Sequence, residues 1–287
     1  MPSVNTANSM SRRQMLKRCA SLTSLMLLPS AIPAFATDNT KKVGLQLYTV
    51  RHLMQQSVRD TLQLIAAIGY LEVEFAGYFD MPTAAIRSIL DTHGLTAPSV
   101  HVPLQQLRNS LSTVIKDAIT MGHQYIVLPW LSQEERGNSI ENYKQLAAEL
   151  NIMAKPIQDA GLQLCYHHHD FELTPLQGQL PYDVLLDETD PRLVQMELDV
   201  FWAIKAGANP LQLFNRYPGR FPLLHIKDMT TAGDMADVGT GIIDFSAILA
   251  KSSLAGVQHR FVEHDNPTNQ IQTISQGYKA LNAILSR

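Results

Sequence analysis

The stretch IENYKQLAAELNIMAKPIQDAGLQLCYHHHD, residues 140–170, contains one complete helix-to-strand unit. Ile140, Tyr143, Leu146, Leu150 and Met153 recur at three-to-four spacing, the apolar stripe that a helix turns toward a core, so the pattern predicts a helix over 140–160. Gly161 is placed to cap that helix and turn the chain. The apolar run Leu162–His167 then has the length of a buried strand. It ends in a polar run, Tyr166-His167-His168-His169-Asp170.

The same unit recurs on both sides. Strands are expected at 43–48, 71–75, 96–102, 125–128, 162–167, 194–199, 223–226 and 261–263. Helices are expected at 57–68, 82–93, 110–121, 140–160, 181–189, 210–217, 245–252 and 268–285. No Pro/Gly/Ser-rich linker or charge block interrupts this alternation, which is the mark of repeated βα units. An open doubly wound sheet would carry a glycine-rich phosphate turn after its first strand. Here that turn reads Tyr48-Thr49-Val50-Arg51. The expected fold class is therefore α/β, a closed (β/α)8 TIM barrel, which leaves no exposed sheet edge.

The first 36 residues read as an export address. They carry Arg12, Arg13, Lys17 and Arg18 and no acidic residue, then the short apolar run 22–28, then Ala34-Phe35-Ala36, a small-x-small cleavage pattern. Arg12-Arg13 ahead of that run resembles a twin-arginine signal, so the expected division is 1–36 signal peptide and 37–287 barrel, with a periplasmic location. The apolar run is too short to span a bilayer, and no stable membrane anchor is expected. Cleavage would remove four basic residues and take the formal charge from −3 to −7, which argues against a nucleic-acid partner. Cys19 leaves with the signal and Cys165 remains alone, so no disulfide framework is available. Assembly as a homo-oligomer is compatible with this composition.

Barrels of this kind place their chemistry at the carboxyl ends of the strands. The polar residues there are Tyr48, Glu74, His101, Trp130, the run 166–170, Asp199, His225 with Lys227, and Glu263 with Asp265. A lone strand-end histidine or carboxylate is usually a satisfied loop or core residue. Three from the sixth, seventh and eighth strands converge on one mouth. Asp199, His225 and Glu263 offer mixed oxygen and nitrogen donors suited to one divalent ion, Mn2+ first, with Co2+, Fe2+ or Zn2+ as alternatives.

At these residues the chain resembles the xylose-isomerase-like, sugar phosphate isomerase/epimerase superfamily. The similar segments are 43–51, 73–77, 166–172, 198–202, 225–228, 238–245 and 261–263, so the likeness runs from the first strand to the eighth. The resemblance implies one divalent metal held by Glu, Asp, His and Glu from the fifth to eighth strands. Asp199, His225 and Glu263 match the last three. The fifth strand departs: it offers Tyr166 to His169 where relatives carry glutamate, with Glu172 later in the loop. Strand alternation groups His167 and His169 with Cys165 on one face and Tyr166 with His168 on the other. His167 is the preferred fourth ligand, ahead of His169; Glu172 is the alternative ligand or a substrate contact.

Relatives of this kind use two metal-bound carboxylates on opposite faces of a sugar to move a proton beside a carbonyl. With Glu263 as the one matching carboxylate base, a lyase or a β-elimination from a 3-keto sugar fits as well as epimerisation. The expected catalytic set is Glu263, His169, Lys227 and His101. Lys227 is a donor to substrate oxygen or, alternatively, an ion-pair partner of Glu197 or Asp228. Tyr48, Glu74, Trp130 and Trp202 are expected to contact the sugar. A non-catalytic periplasmic sugar-binding protein is the runner-up. An abasic-site-type endonuclease relative ranks last, because the mature chain is acidic.

Overall fold

A computed structural model describes residues 42–287, and the expected signal segment lies outside them. Eight parallel strands form the centre: β1 (Gly44–Gln46), β2 (Glu72–Phe75), β3 (Thr96–His101), β4 (Tyr125–Leu128), β5 (Gln163–His167), β6 (Val194–Asp199), β7 (Leu223–Ile226) and β8 (His259–Val262). Each pairs with its neighbour in sequence, and β8 returns to β1 through Gly44↔Phe261 and Leu45↔Val262. The sheet is closed, so the expected (β/α)8 barrel is the observed one.

Period-2 alternation sorts every strand into an outer and an inner set. The outer set, including Leu45, Val73, Ile126, Leu164, Met196, Leu224 and Val262, belongs to the main apolar core under the helices. The inner set splits by height. Val127, Cys165, Leu223 and Phe261 form a separate apolar cluster inside the barrel. Gly44 lies against it for a steric reason: a Cβ there would stand 2.5 Å from the Phe261 ring and 2.8 Å from the Arg260 carbonyl. Above this plug, toward the carboxyl ends, the inner residues are polar, most of them ionisable.

The helices follow the predicted periods, with shifts that have local causes. The helix expected at 57–68 is Val58–Ile68, capped by Ser57, whose side chain accepts from the Asp60 amide; a short helix that was not expected, Arg51–Gln56, precedes it and ends where Ser57 turns extended. The helix expected at 110–121 starts at Leu104 and bends at Ser110. The one expected at 245–252 is Phe245–Leu249 followed by Ser252–Ala255. Asp199, closing β6, caps a short helix, Val200–Lys205, that the periodicity did not announce.

Past β7 the chain makes a small antiparallel ribbon, Asp228–Met229 with Met235–Ala236. Asp228 organises it, accepting from the amides of Gly239, Gly241 and Ile243 at 2.9, 2.9 and 3.2 Å. Any side chain at Gly241 would collide with that carboxylate. Among the described residues no helix is long and apolar enough to cross a membrane.

Candidate active site at the barrel mouth

The inner residues at the carboxyl ends form two layers. In the upper one, Asp199 ends β6 and caps the helix that follows, its Oδ1 accepting from the Trp202 amide at 2.9 Å. That bond fixes the carboxylate and leaves Oδ2 buried without a hydrogen bond. Oδ2 lies 3.8 Å from His225 Nδ1 and 3.9 Å from His167 Nε2. Glu263 Oε2 approaches His225 Nδ1 to 2.5 Å, and its backbone is held by Ile226 O.

The lower layer rests on two carboxylates, Glu74 and Glu197, both fully buried. Glu74 accepts from Gln46 Nε2 at 2.7 Å and Ser99 Oγ at 2.5 Å, and it lies 2.6 Å from His225 Nε2. Glu197 Oε2 lies 2.8 Å from His101 Nε2 and 3.1 Å from both His167 Nδ1 and His225 Nε2. His225 therefore has Glu74 hydrogen-bonded behind it, an arrangement that fixes which of its ring nitrogens faces the site, whereas His167 Nδ1 lies beside Glu197 without a hydrogen bond.

Lys227 reaches Asp199 Oδ2 and Glu263 Oε2, both at 2.9 Å, and Asp265 Oδ1 at 2.8 Å. The expected partners, Glu197 and Asp228, are engaged elsewhere: Glu197 under the histidines and Asp228 in the ribbon. Alternation explains this, since Lys227 shares the inner face with His225 whereas Asp228 does not.

Burial and charge together set the protonation states. Burial opposes charge on His225 and Lys227, but the surrounding carboxylates outweigh it and hold both well above their ordinary values. Burial also opposes charge on His101, which Glu74 and Glu197 nevertheless raise to about 9. His167 is held well below the ordinary histidine value, first by burial and then by the neighbouring His225, His169, His101 and Lys227. His169 is pushed down to about 2 by burial and by Lys227. Asp199 is raised to about 6, chiefly by burial. In Glu263 burial yields to Lys227 and His225, which hold it well below the usual carboxylate range. Two uncharged imidazoles, at the end of β5 and just past it, thus face a ring of charged groups.

Above the layers opens a cavity of about 610 Å³. His101, His167, His169, Lys227 and Glu263 line it, with Tyr48 and Trp130 at its rim. Asp199 and His225 sit just beneath, fully buried. Three expected sugar contacts lie off its wall. Glu74 belongs to the lower layer. Trp202 packs behind His169, ring centroids 5.4 Å apart. Glu172 is buried, its carboxylate taking Tyr166 Oη at 2.5 Å and the His169 amide at 2.8 Å, so it braces the loop. The outer set of β5 behaves as alternation requires: Tyr166 serves Glu172, and His168 Nε2 accepts from the Asp199 amide.

Sequence reasoning passed over Glu197 as a site residue because it looked only at strand ends. The signal was present, since Glu197 precedes Asp199 by two and shares its face. A second hollow, about 640 Å³, lies at the amino ends of the strands and includes Gln124, Gln163, Gln195 and Gln258. Its wall carries no carboxylate, histidine or lysine, whereas ionisable groups converge at the mouth, which is where the site is assigned.

The mouth suits a divalent cation. Asp199, His225 and Glu263 bring ligand atoms within 4.8 Å of one another. Asp199 Oδ2, His225 Nδ1 and Glu263 Oε2 are buried and lack hydrogen bonds, although Lys227 lies in ion-pair range of the two oxygens. His167, Glu197, His101 and His225 make a second such cluster lower down. Carboxylate and imidazole donors together are the chemistry of Mn2+, Fe2+, Co2+ or Zn2+ sites.

The chain belongs to the xylose isomerase-like TIM barrel family, whose model matches residues 62–279. Among curated proteins it is similar to the inosose dehydratase of Clostridium beijerinckii, at 34% identity over 89 residues, a stretch covering 31% of this chain and only 29% of that one. It is similar over more of its length to the inosose dehydratase of Geobacillus kaustophilus, at 25% over 239 residues, covering 70% of this chain and 76% of the relative. Among solved structures it superposes on a sugar phosphate isomerase/epimerase from Parabacteroides distasonis with a TM-score of 0.73 and 24% identity, covering 85% and 94% of the two chains.

Proposed function

We infer that this chain is a divalent-metal-dependent lyase that takes a proton from the carbon beside a carbonyl of a sugar or keto-sugar, such as a 3-keto-glycoside, and expels the oxygen on the next carbon. The observation that carries this reading is the pair of imidazoles, His167 ending β5 and His169 two residues beyond it, that line the cavity with Glu263. Proton return on the opposite face by a second carboxylate, as symmetric epimerisation needs, has no group on β5 to perform it. Elimination needs one base and one acid. The inosose dehydratases among the relatives support a dehydrating reaction.

His167 Nε2, Asp199 Oδ2, His225 Nδ1 and Glu263 Oε2 would hold the ion, Mn2+ by preference. When bound it supplies Lewis-acid polarisation of the carbonyl oxygen. Glu263 takes the α-proton, and Lys227 donates to the substrate oxygen that gains charge. His101, kept protonated by Glu74 and Glu197, gives its proton to the departing oxygen. The C–H and C–O electron pairs thereby become the new double bond and the leaving group's O–H bond. His169 orients the ring from the β5 side. We place this activity in the periplasm, after export by the twin-arginine route.

A sugar-binding protein would have no use for buried carboxylates and imidazoles beneath its cavity. The test is to load the mature protein with Mn2+, add a 3-keto sugar and follow the absorbance of the conjugated enone, with a crystal structure of the soaked protein alongside. Metal-dependent enone formation and an ion on the four residues are expected. No enone with any divalent ion, or isomerisation with proton exchange on both faces, would sink the lyase reading.

A further inference from the structure

The cavity is graded along its depth. At its floor Lys227 and Glu263 are 2% and 4% exposed; at its rim Tyr48 and Trp130 are 42% and 50% exposed. Both aromatic rings line the same cavity as the floor residues. An isolated exposed aromatic is ordinary, but two on one cavity rim are a surface awaiting an apolar face.

Tyr48 is also held in place. The Arg51 guanidinium lies over its ring, 4.2 Å from the centroid. Arg51 is tied in turn to the carbonyls of Tyr48 and Asp265 at 2.9 and 2.7 Å, and to Asn266 Oδ1 at 3.2 Å. A ring backed on one face by a thrice-anchored cation presents the other face at little entropic cost. The volume of about 610 Å³ is in the range that encloses a ligand larger than one six-membered ring.

We propose that the rim is a second-ring subsite, so that the substrate is a glycoside: its reacting sugar lies over Glu263 and Lys227, and its second ring, sugar or aryl, rests on Tyr48 and Trp130. This rests on the reaction proposed above for the reacting ring. It assigns the two aromatic residues to substrate choice and leaves the proton transfers to the floor.

The experiment has a binding arm and a turnover arm. Calorimetric titration of Mn2+-loaded protein with glucose and with both anomers of phenyl glucoside reads the subsite without chemistry. One phenyl anomer is expected to bind at least tenfold more tightly than glucose. In turnover, kcat/KM for the corresponding phenyl 3-keto-glucoside is expected to exceed that for 3-keto-glucose by a similar factor. Trp130→Ala and Tyr48→Ala should each bring both ratios toward one. Equal binding, no detectable binding of either sugar, or ratios unmoved by both substitutions overturns the proposal. So does a Trp130→Ala protein whose sedimentation shows a lost oligomer while the ratio stands, because the rim is then a protein contact. A tenfold binding preference without turnover upholds the subsite and overturns the proposed reaction alone.

Discussion

At the level of single residues, His225 shows how much one side chain depends on those behind it. Its Nε2 is 2.6 Å from Glu74 and its Nδ1 faces Glu263 and Asp199. A carboxylate behind a ligating imidazole fixes its tautomer and raises its basicity, and losing it costs on the order of 10–100-fold in metal affinity. Glu74→Gln, which keeps shape and loses charge, should weaken Mn2+ binding by roughly that factor in a calorimetric titration; unchanged affinity would reduce Glu74 to packing. His123 supplies a pH signature away from the mouth. Its Nδ1 bonds Ala97 O at 2.6 Å, Nε2 lies 3.1 Å from Tyr78 Oη, and burial pushes it from 6.5 down to about 4. The unfolded chain takes up this proton below pH 6.5 and the folded chain does so only near 4. Stability is therefore full above 6.5 and falls as pH drops toward 4. His123→Asn should flatten that part of the unfolding free energy measured against pH, and an unchanged slope would assign it to other groups. The convergent trio Asp199, His225 and Glu263 was legible as residues because each is a polar side chain ending an apolar run. The depth of Glu74 was not, since height inside a barrel depends on register and shear between strands, which one strand's alternation does not encode.

Among the elements, β5 and its loop are where the proposed lyase and a symmetric epimerase part. His167 and His169 lie on the inner face, their rings 5.0 Å apart, with the loop beyond them tied down by Glu172. His167→Ala should lose metal, whereas His169→Ala should retain it and turn over slowly. In deuterated solvent the wild type should exchange the α-proton from one face. Full metal in His167→Ala, with loss in Glu172→Ala, would reverse the ligand assignment. The strand pattern was readable here because alternation has a period of two, and a one-residue error would have sent Glu172's partner Tyr166 into the mouth. β1 tests the barrel itself. Gly44→Ala would press a methyl into Phe261 and the Arg260 carbonyl, and overpacking of this kind costs about 1–3 kcal/mol. Thermal or denaturant unfolding reads that loss, and a variant as stable as wild type would show that the plug yields. The helices were legible wherever an apolar stripe ran long. Val200–Lys205 escaped notice because six residues are too few to show a period, although Asp199 is its cap as well as a site residue.

The molecule as a whole joins these scales through charge. Closing the sheet brings Glu74 of β2, Glu197 and Asp199 of β6, and Glu263 just past β8 to one end, all nearly or wholly buried. Lys227, His101 and His225 balance them in the folded chain, so folding and the occupancy of the mouth by cations are one equilibrium. A divalent ion that binds the folded barrel and not the unfolded chain stabilises it by about 2.7 kcal/mol at a hundredfold excess over its Kd. For a domain of this size each kcal/mol moves Tm by roughly 2–4 °C, so saturation with Mn2+ should raise the Tm of chelator-treated protein by about 5–10 °C. Elemental analysis should find about one ion per chain, as one mononuclear site requires. The same titration on Asp199→Ala and His225→Ala should show no rise, because each removes a donor outright. Glu263→Gln should retain part of the rise while losing turnover, since an amide oxygen still ligates but cannot accept the α-proton. If Mn2+, Co2+, Fe2+ and Zn2+ all leave the wild-type Tm where the chelator set it, the convergence of carboxylates serves Lys227 and the histidines alone, and the metal-dependent mechanism falls with it.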